Sequence, residues 1–369
     1  MSRLAGSRVV LRADASLRIG SGHVMRCLTL ATALREQGVA CRFVSRAHAG
    51  HLTDTVRARG FDATLLPAGA VGPATRTTTA HDDWLGVPWS LDAEQTIAAL
   101  GAEGADWLVV DHYALERQWE SALRCHARRL LVIDDLADRD HVCELLLDQN
   151  LGRTPEDYVA RVPATCRVMV GARFALLRPQ FARLREHSLQ RRRRPALRQL
   201  LVALGGVDAG NATEAVLDAL QLCDLPADLR ICVVMGSQAP ALAAVRERAS
   251  RMSWPTDVLV EVADMASLMA DADLAIGAAG GTAWERCCLG LPTLLIVLAA
   301  NQEAGASALH AQGAAWLLGE PSSLARTLPD AMHRCASAEV LAGLSVAAAR
   351  VTDGGGVSRV LDRMADRDA

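Results

Sequence analysis

The sequence lacks the charge pattern of a nucleic-acid-binding protein and the cysteine pattern of a secreted one. It has no basic excess, since 39 Lys and Arg stand against 42 Asp and Glu and the formal net charge is −3. Affinity for nucleic acid depends largely on neutralised phosphates, so we expect no nucleic-acid partner. The ten cysteines include no CxxC pair. This usage is typical of reduced thiols, and we expect a cytoplasmic protein.

Long apolar runs are also missing. A membrane helix needs about 20 apolar residues, and the longest candidate, residues 289–300, is shorter and is interrupted by Gly290 and Pro292. The N-terminus does not show the basic start and apolar segment of a secretory signal. We therefore expect neither a signal peptide nor a membrane association.

The order of apolar segments predicts an α/β fold. A chain of 369 residues is long enough for two hydrophobic cores. Short apolar strands alternate with helical periodicity up to about residue 190, and the pattern restarts after the basic run 191–194, which we interpret as a solvated linker ended by Pro195. We expect two doubly wound, Rossmann-like domains with a cleft between them, followed by a C-terminal helix in residues 346–369 that can pack back on the first domain.

The first strand leads into a glycine loop that departs from the dinucleotide-binding fingerprint. Residues 20–23 read Gly-Ser-Gly-His, but Met25 stands where the third glycine would fall. The second strand ends in Ser45 and Arg46, where a ribose-binding carboxylate would be expected. A nicotinamide cofactor is therefore disfavoured, and we expect no cofactor.

His23 opens the helix that follows this loop. The positive end of a helix disfavours imidazolium, and a neutral imidazole is what a general base needs near pH 7. The alternative is a histidine that only caps the helix or contacts phosphate. Arg26, one turn later, has the spacing to hold an anion or an acidic side chain, or it is an ordinary exposed arginine.

Polar clusters follow several predicted strands. Asp14, the segment 111–113 (Asp-His-Tyr) and the pair Asp134–Asp135 each stand at the carboxyl end of an apolar run. In an open parallel sheet these ends share one edge, where ligands bind. The acidic pair suggests either a metal site or strand-end hydrogen bonding. We favour hydrogen bonding and expect no metal.

Two glycine loops in the second half fit a diphosphate. Gly205–Gly206 and the segment 280–282 (Gly-Gly-Thr) each precede a predicted helix, so that backbone N–H groups can approach phosphate oxygens. Glu285 follows three residues later. Its carboxylate has the chemistry to accept both hydroxyls of a ribose, although a glutamate in a first helical turn often serves the helix alone.

These motifs resemble the PseG family, the UDP-2,4-diacetamido-2,4,6-trideoxy-β-L-altropyranose hydrolases of pseudaminic acid biosynthesis. The resemblance covers nearly the whole chain. In the first half it is carried by residues 12–16, 19–28, 110–113, 133–139, 147–150 and 175–179. In the second half it is carried by residues 277–287, 290–292 and 301–302. The glycine motif at 280 is also shared with MurG-like glycosyltransferases of the GT-B fold.

The resemblance implies a division of work between the domains. Residues 1–190 would hold the catalytic base and the sugar, and residues 196–345 would bind UDP. His23 would activate a water that attacks C1 of the sugar with inversion, and Tyr113 would orient water or substrate. The candidate catalytic residues are His23, Tyr113 and Asp14. The candidate substrate-binding residues are Arg12, Gly20, Gly22, Arg26, Gly205, Gly206, Asn211, Gly280, Gly281, Thr282, Glu285, Asn301 and Gln302.

Two other functions are compatible with the same residues. An inverting UDP-sugar glycosyltransferase of the same fold would use the same base on an acceptor hydroxyl instead of water. A nucleotide-sugar-binding protein would bind UDP tightly without turnover. We expect a UDP-sugar as the small-molecule partner and a chain that is monomeric or weakly dimeric.

Overall fold

The computed structural model describes residues 3–69 and 81–366, which form two compact units. The first unit runs through Leu176 and also contains the C-terminal segment from Gly356. The second unit is Leu177–Gly355. Residues 70–80 of the expected first domain, and the last three residues of the expected C-terminal helix, lie outside the described residues. Each unit is a parallel sheet with helices, which confirms the predicted α/β class.

The first unit contains seven parallel strands in the order β3-β2-β1-β4-β5-β6-β7. Most of them are buried on both faces, as their apolar sequences predict. The strands are β1 Arg8–Ala13, β2 Ala40–Arg46, β3 Asp62–Leu66, β4 Ala105–Asp111, β5 Ala127–Ile133, β6 Leu145–Asp148 and β7 Arg167–Val170. The helices among them are α1 Gly22–Glu36, α2 Thr53–Ala58, α3 Trp89–Leu100 and α4 Arg117–Leu123.

The second unit has six parallel strands in the order β10-β9-β8-β11-β12-β13. They are β8 Gln199–Ala203, β9 Arg230–Met235, β10 Thr256–Val260, β11 Leu274–Ala278, β12 Thr293–Ile296 and β13 Trp316–Gly319. The helices are α5 Pro179–Arg191, α6 Ala212–Leu220, α7 Leu242–Ala249, α8 Met265–Asp271, α9 Thr282–Cys288, α10 Glu303–Ala311, α11 Leu324–Cys335 and α12 Ala338–Val351. A last helix, α13 Gly356–Ala365, returns to the first unit.

Both sheets place the candidate residues where the strand order reverses. In the first unit this point lies between β1, which leads to the loop before His23, and β4, which ends at Asp111. In the second unit it lies between β8 and β11, which lead to the two glycine loops. Ligands of open α/β sheets bind at the carboxyl ends of strands at such reversals. The topology therefore gives each unit one candidate site.

The unit boundaries fall near helices α5 and α13. Helix α5, which the sequence places before the linker, packs within the second unit, where the Ser188 hydroxyl donates to the Leu289 carbonyl at 2.7 Å. Helix α13 packs against α1 in the first unit and buries Val360, Leu361 and Met364. The chain therefore passes from one unit to the other twice.

The basic run after α5 is not a solvated linker throughout, so that prediction is wrong for Arg192. Arg192 is 6% exposed, and its guanidinium donates to the carbonyls of Leu289, Ala272 and Met269 at 2.7–3.0 Å. Two of these carbonyls belong to the last turn of α8 and the residue after it, where helical carbonyls lack partners within the helix. The arginine thus fastens the end of α8 to the segment after α9.

Residues 324–365 form three consecutive helices, α11, α12 and α13, joined by short turns. No single helix in the described part of the chain is long and apolar enough to cross a membrane. The segments Pro321–Cys335 and Ala338–Ala365 satisfy such a test only when taken together as a bent pair.

A fully buried group of charges lies beneath the carboxyl edge of the first sheet. Arg12 binds Asp14 at 2.6 and 2.9 Å and Asp92 at 2.7 Å. Arg46 binds Asp92 as well, and its backbone N–H donates to Asp14 at 2.7 Å. Burial alone would raise the pKa of both carboxyls, but the charge of Arg12 and the hydrogen bonds outweigh it and lower both pKa values. Two arginines and two carboxylates leave the group neutral overall.

We expect Asp92→Asn to lower the free energy of unfolding by about 3–5 kcal/mol, because two buried guanidiniums lose their shared carboxylate. Folding lowers the pKa of Asp92, so its contribution is complete above pH 3.8 and is lost as the pH falls below that value. Urea denaturation across this range should show the two proteins converging at low pH. Asp54→Asn, at a side chain that is 91% exposed, is the matched control. A constant difference at all pH values would contradict the ionic explanation.

Candidate active site

His23 and Asp111 form a pair at the carboxyl edge of the first sheet. His23 lies in the first turn of α1, and Asp111 is the last residue of β4. The imidazole Nδ1 lies 2.5 Å from Asp111 Oδ1. Asp111 is wholly buried, whereas the His23 side chain is 8% exposed. The loop after β1 thus delivers the histidine to a carboxylate supplied by the neighbouring strand.

Asp111 is held as a carboxylate by Arg26. The guanidinium binds it in a bidentate manner, with Nε–Oδ2 at 2.6 Å and Nη2–Oδ1 at 2.7 Å. Burial would raise the pKa of Asp111, but the charge of Arg26, followed by the interaction with His23, holds this pKa well below its ordinary value. A carboxylate only accepts hydrogen bonds, so the proton between His23 and Asp111 belongs to Nδ1.

The other imidazole nitrogen, Nε2, is the one that can accept a proton. In the described part of the chain, the imidazole is hydrogen-bonded to Asp111 through Nδ1, and Arg26 Nη2 lies 3.4 Å from the same nitrogen. With Nδ1 protonated, the neutral ring carries its lone pair on Nε2. A histidine held in this way by a carboxylate can take a proton at Nε2, and the carboxylate then stabilises the imidazolium that forms.

Arg26 and Tyr113 support the pair and are themselves occupied. Arg26 Nη1 donates to Asp135 at 2.6 Å, and the Tyr113 hydroxyl donates to the same oxygen at 2.8 Å. Burial and the adjacent Asp135 raise the pKa of Tyr113 well above its ordinary value, so it is a neutral phenol. Arg26 therefore holds acidic side chains, one of the two functions that its spacing suggested.

Aromatic rings enclose the side of His23. The Tyr113 ring meets the imidazole edge to face with centroids 4.6 Å apart. Trp84 stacks on Tyr113 at 5.5 Å, and His81 packs against Trp84 at 4.5 Å. Rings in these arrangements attract one another and restrict rotation of the imidazole.

The remaining candidates of the first loop serve the backbone or lie below the site. Gly20 has a φ of +81°, a left-handed conformation that favours glycine, whereas a Cβ at Gly22 would meet nothing within 4 Å. Arg12 and Asp14 are completely buried against each other. Their position allows them to support the loop from beneath but leaves them no exposed atom for a ligand.

The Nδ1 atom of His112 faces a hydrogen-bond donor, whereas that of His23 faces an acceptor. His112 Nδ1 accepts the backbone N–H of Ala114 at 3.1 Å, so the proton of the neutral ring is on Nε2, which lies 3.4 Å from Asp14 Oδ2. Burial lowers the pKa of His112 to about 3, although Asp14 opposes this shift. The two histidines are thus held in opposite tautomers.

In the second unit, the helix after Gly205–Gly206 already has an anion at its start. The Asp208 carboxylate accepts the backbone N–H groups of Ala212 and Thr213, both at 2.9 Å. Asn211 turns its amide to Glu214, and both Asp208 and Asn211 adopt positive φ angles. The exposed backbone of Gly205 and Gly206 is therefore the part of this predicted phosphate site that remains open.

The second glycine loop has a freer helix start. Gly281 and Thr282 are exposed, and no side chain caps α9 in the described structure. The Gln302 amide accepts the Leu298 N–H at 3.1 Å, which leaves Nε2 facing Gly280, 3.8 Å from where a Cβ would stand. Asn301 is exposed in the same turn. These residues gather backbone and side-chain donors on one surface.

Glu285 lies one turn below this surface. Its Oε1 accepts Arg178 Nη2 at 3.3 Å, and its side chain is 14% exposed. Burial raises the pKa of Glu285, with Arg178 acting in the opposite direction. The carboxylate is thus partly desolvated and has one oxygen that the Arg178 contact does not use, which suits a hydroxyl donor.

The acidic pair after β5 is engaged in hydrogen bonding. Asp134 accepts the Ala137 N–H at 2.8 Å and the Tyr158 hydroxyl at 3.1 Å, and it also binds Arg139. Asp135 binds Arg26 and Tyr113. Within residues 3–69 and 81–366, no three His, Cys, Asp or Glu side chains are grouped to hold a metal.

The sequence identified the candidate residues His23, Arg26 and Tyr113, but it did not identify the residues that contact them. Asp111 was visible as a strand-end carboxylate, but its pairing with His23 depends on which strands are neighbours. Asp135 carried the same strand-end signal. Trp84 follows a stretch without periodicity, and nothing in its local sequence indicates its packing on Tyr113.

Comparison with known proteins agrees with this architecture. The glycosyltransferase family 28 C-terminal domain matches residues 200–342, the central part of the second unit. The structure is similar to that of MurG from Acinetobacter baumannii, with a TM-score of 0.68 and 18% sequence identity. The superposed region covers 97% of this chain and 99% of the MurG chain. The fold is therefore that of GT-B glycosyltransferases, with two Rossmann-like domains.

Two curated proteins are similar in sequence. The spore coat polysaccharide biosynthesis protein SpsG of Bacillus subtilis is 35% identical over 170 residues, or 46% of this chain, and the match spans about half (48%) of that protein. The UDP-2,4-diacetamido-2,4,6-trideoxy-beta-L-altropyranose hydrolase of Campylobacter jejuni is 22% identical over 306 residues, covering 83% of this chain and 97% of that protein.

The tautomers of two histidines test this geometry directly. We expect nitrogen-15 NMR to show His23 protonated at Nδ1 and His112 protonated at Nε2 when both rings are neutral, because their Nδ1 atoms face an acceptor and a donor respectively. Asp111→Asn should remove the preference at His23 and leave His112 unchanged. The same tautomer at both positions would contradict the assignment of Asp111 as the orienting group.

Proposed function

We propose that the protein hydrolyses a UDP-sugar by direct attack of water, with His23 as the general base. The observation that carries this proposal is the pair of His23 with Asp111, which leaves Nε2 as a proton acceptor at the ligand-binding edge of the first sheet. In the proposed step the water oxygen forms a bond to C1 of the sugar, and its proton passes to Nε2. The bond between C1 and the phosphate oxygen breaks, UDP leaves, and the anomeric centre is inverted.

Activation of water accounts for the role of the first unit. Water is a weak nucleophile until a base removes its proton, and a positioned base contributes about 10²–10⁴-fold in rate. Asp111, itself held by Arg26, would stabilise the imidazolium, and Tyr113 would fix the ring through edge-to-face packing. Asp14, which we expected to be catalytic, would act from beneath the loop as a positioning residue.

The second unit would hold the leaving group. Backbone donors around Gly205–Gly206 and Gly280–Gly281 would neutralise the charge that develops on the diphosphate, which makes UDP a better leaving group. The Thr282 hydroxyl and the Gln302 amide add donors on the same surface, and Glu285 would accept the ribose hydroxyls. The match of residues 200–342 to a glycosyltransferase domain supports this assignment.

The substrate we propose is UDP-2,4-diacetamido-2,4,6-trideoxy-β-L-altropyranose, the precursor in pseudaminic acid biosynthesis. Two observations support it: the similarity to the Campylobacter jejuni hydrolase over 97% of that protein, and the motif around His23. A binding protein without turnover would have no use for a histidine oriented by a buried carboxylate.

An inverting glycosyltransferase is the second candidate, because residues 200–342 match a glycosyltransferase domain. It would use His23 on the hydroxyl of an acceptor. The two reactions differ in water alone: a hydrolase releases UDP and free sugar, whereas a transferase releases little UDP until an acceptor is added.

We expect His23→Asn to reduce UDP release by about 10²–10⁴-fold, because the water loses its base. UDP affinity, assigned to the second unit, should remain unchanged in calorimetric titration. His187→Asn, at an exposed histidine of α5, is the control and should retain full activity. Turnover in His23→Asn close to that of the unaltered protein would rule out this residue as the base.

Glu285→Gln should weaken UDP binding by about 1.5–3 kcal/mol, or about 10- to 150-fold, because a charged acceptor for the ribose hydroxyls is lost. Glu339→Gln is the matched control, since Glu339 also lies in a first helical turn but is exposed. Equal, small effects of both substitutions would show that Glu285 serves only its helix.

A further inference from the structure

Arg286 is a buried arginine without an ionic partner. It is 1% exposed, and no carboxylate oxygen lies within 4.0 Å of its guanidinium in the two described ranges, 3–69 and 81–366. Burial lowers the pKa of Arg286 to about 10, against the opposing influence of Cys287 and Glu285. Removing a cation from water without an opposing charge is unfavourable, so its position needs an explanation.

The other buried arginines are satisfied in ways that Arg286 is not. Arg12, Arg46 and Arg139 each lie against at least one carboxylate. Arg192 donates to four backbone carbonyls at 2.7–3.5 Å. Within the described residues Arg286 makes two hydrogen bonds, and its buried Nε has no partner there, as is also the case for the Nε atoms of Arg46 and Arg139. Its charge is thus the least compensated of the set.

The two hydrogen bonds of Arg286 both go to the second glycine loop. Nη2 donates to the Ala278 carbonyl at 2.6 Å, and Nη1 donates to the Thr282 hydroxyl oxygen at 3.2 Å. A side chain at Gly277 would overlap the guanidinium, which therefore lies directly against the loop backbone. Thr282 itself is exposed. The hydroxyl thus connects a buried charge to the surface of the loop.

The bond from Nη1 also sets the direction of the Thr282 proton. A hydroxyl that accepts a hydrogen bond on one side keeps its own O–H free to donate elsewhere. Because the donor is a cation, it polarises the hydroxyl and strengthens the hydrogen bond that the hydroxyl gives. An acceptor at the loop surface, above all an anion, would receive this bond.

We infer that Arg286 is a positioning residue that supplies the charge balance for a nucleoside diphosphate through the hydroxyl of Thr282. The inference rests on the proposed function and identifies the ligand group that this loop recognises, the diphosphate rather than the base or the ribose. Within the described residues of the free protein, no carboxylate oxygen within 4.0 Å compensates the cation. Binding of the anionic group compensates it without direct contact.

The expected effect is specific for the diphosphate. Loss of a hydrogen bond that involves a charged group corresponds to about 10- to 100-fold in affinity. Arg286→Met should weaken UDP binding by this factor and leave uridine binding unchanged. Thr282→Val should do the same, whereas Thr282→Ser, which keeps the hydroxyl, should bind UDP like the unaltered protein.

Isothermal titration of UDP and of uridine against these variants tests the inference. The double variant Arg286→Met with Thr282→Val should lose no more UDP affinity than either single variant. Each substitution alone already removes the hydrogen bond between Arg286 and the Thr282 hydroxyl, so the two effects do not add. Arg192→Met is the matched control for loss of a buried arginine in the same unit. It should lower stability but leave the ratio of UDP to uridine affinity unchanged.

The outcomes separate this inference from the proposed function. If the unaltered protein binds UDP more tightly than uridine, but Arg286→Met and Thr282→Val do so equally well, Arg286 has only a structural role. Should Arg286→Met fail to fold, Thr282→Val at the exposed end of the connection still decides the matter. A parallel loss of UDP and uridine binding would also overturn the inference. An unaltered protein that does not bind UDP would overturn both proposals.

Discussion

The Asp111 carboxylate, shared between His23 and Arg26, is the group on which the proposed chemistry of the first unit depends. It settles which imidazole nitrogen carries the proton, and it does so only because Arg26 keeps it ionised in a buried position. Asp135 then holds Arg26 and Tyr113 in place. One strand-end carboxylate thus fixes the tautomer, the orientation and the surroundings of the proposed base, at the edge where parallel strands present ligand-binding residues.

The second unit is also a parallel sheet, but the charged groups near its two glycine loops differ. Its two glycine loops look equivalent in sequence, but Asp208 occupies the helix start after one of them, whereas the other has the buried charge of Arg286 behind it. A carboxylate repels a diphosphate and a guanidinium attracts it. The electrostatics therefore distinguish two loops that their glycines do not, and they favour the loop at 280–282 for the phosphates.

The fold was largely predictable because apolar strands, glycine loops and helical periodicity are local signals. The opening loop and the start of α1 lie where their sequences indicate, and both units have the alternating strands and helices that the sequence predicts. The pairings were not predictable, since His23 and Asp111 are 88 residues apart and Arg12 and Asp92 are 80 apart. The burial of Arg192 was not predictable for the same reason. A run of four arginines is typical of a solvated segment, and the carbonyls of α8 that bind Arg192 lie about 80 residues away in the sequence.

The return of helix α13 to the first unit has a consequence for the order of synthesis. Helix α13, which buries Val360, Leu361 and Met364, packs against α1, the helix that carries His23. A growing chain emerges from its N-terminus, so the surface that α13 covers stays uncovered until the whole second unit has been made. Helix α1 therefore acquires this packing partner only after residues 177–355 have been synthesised. Translation that stops early leaves a first unit with an exposed apolar strip, and such strips are what chaperones and proteases recognise.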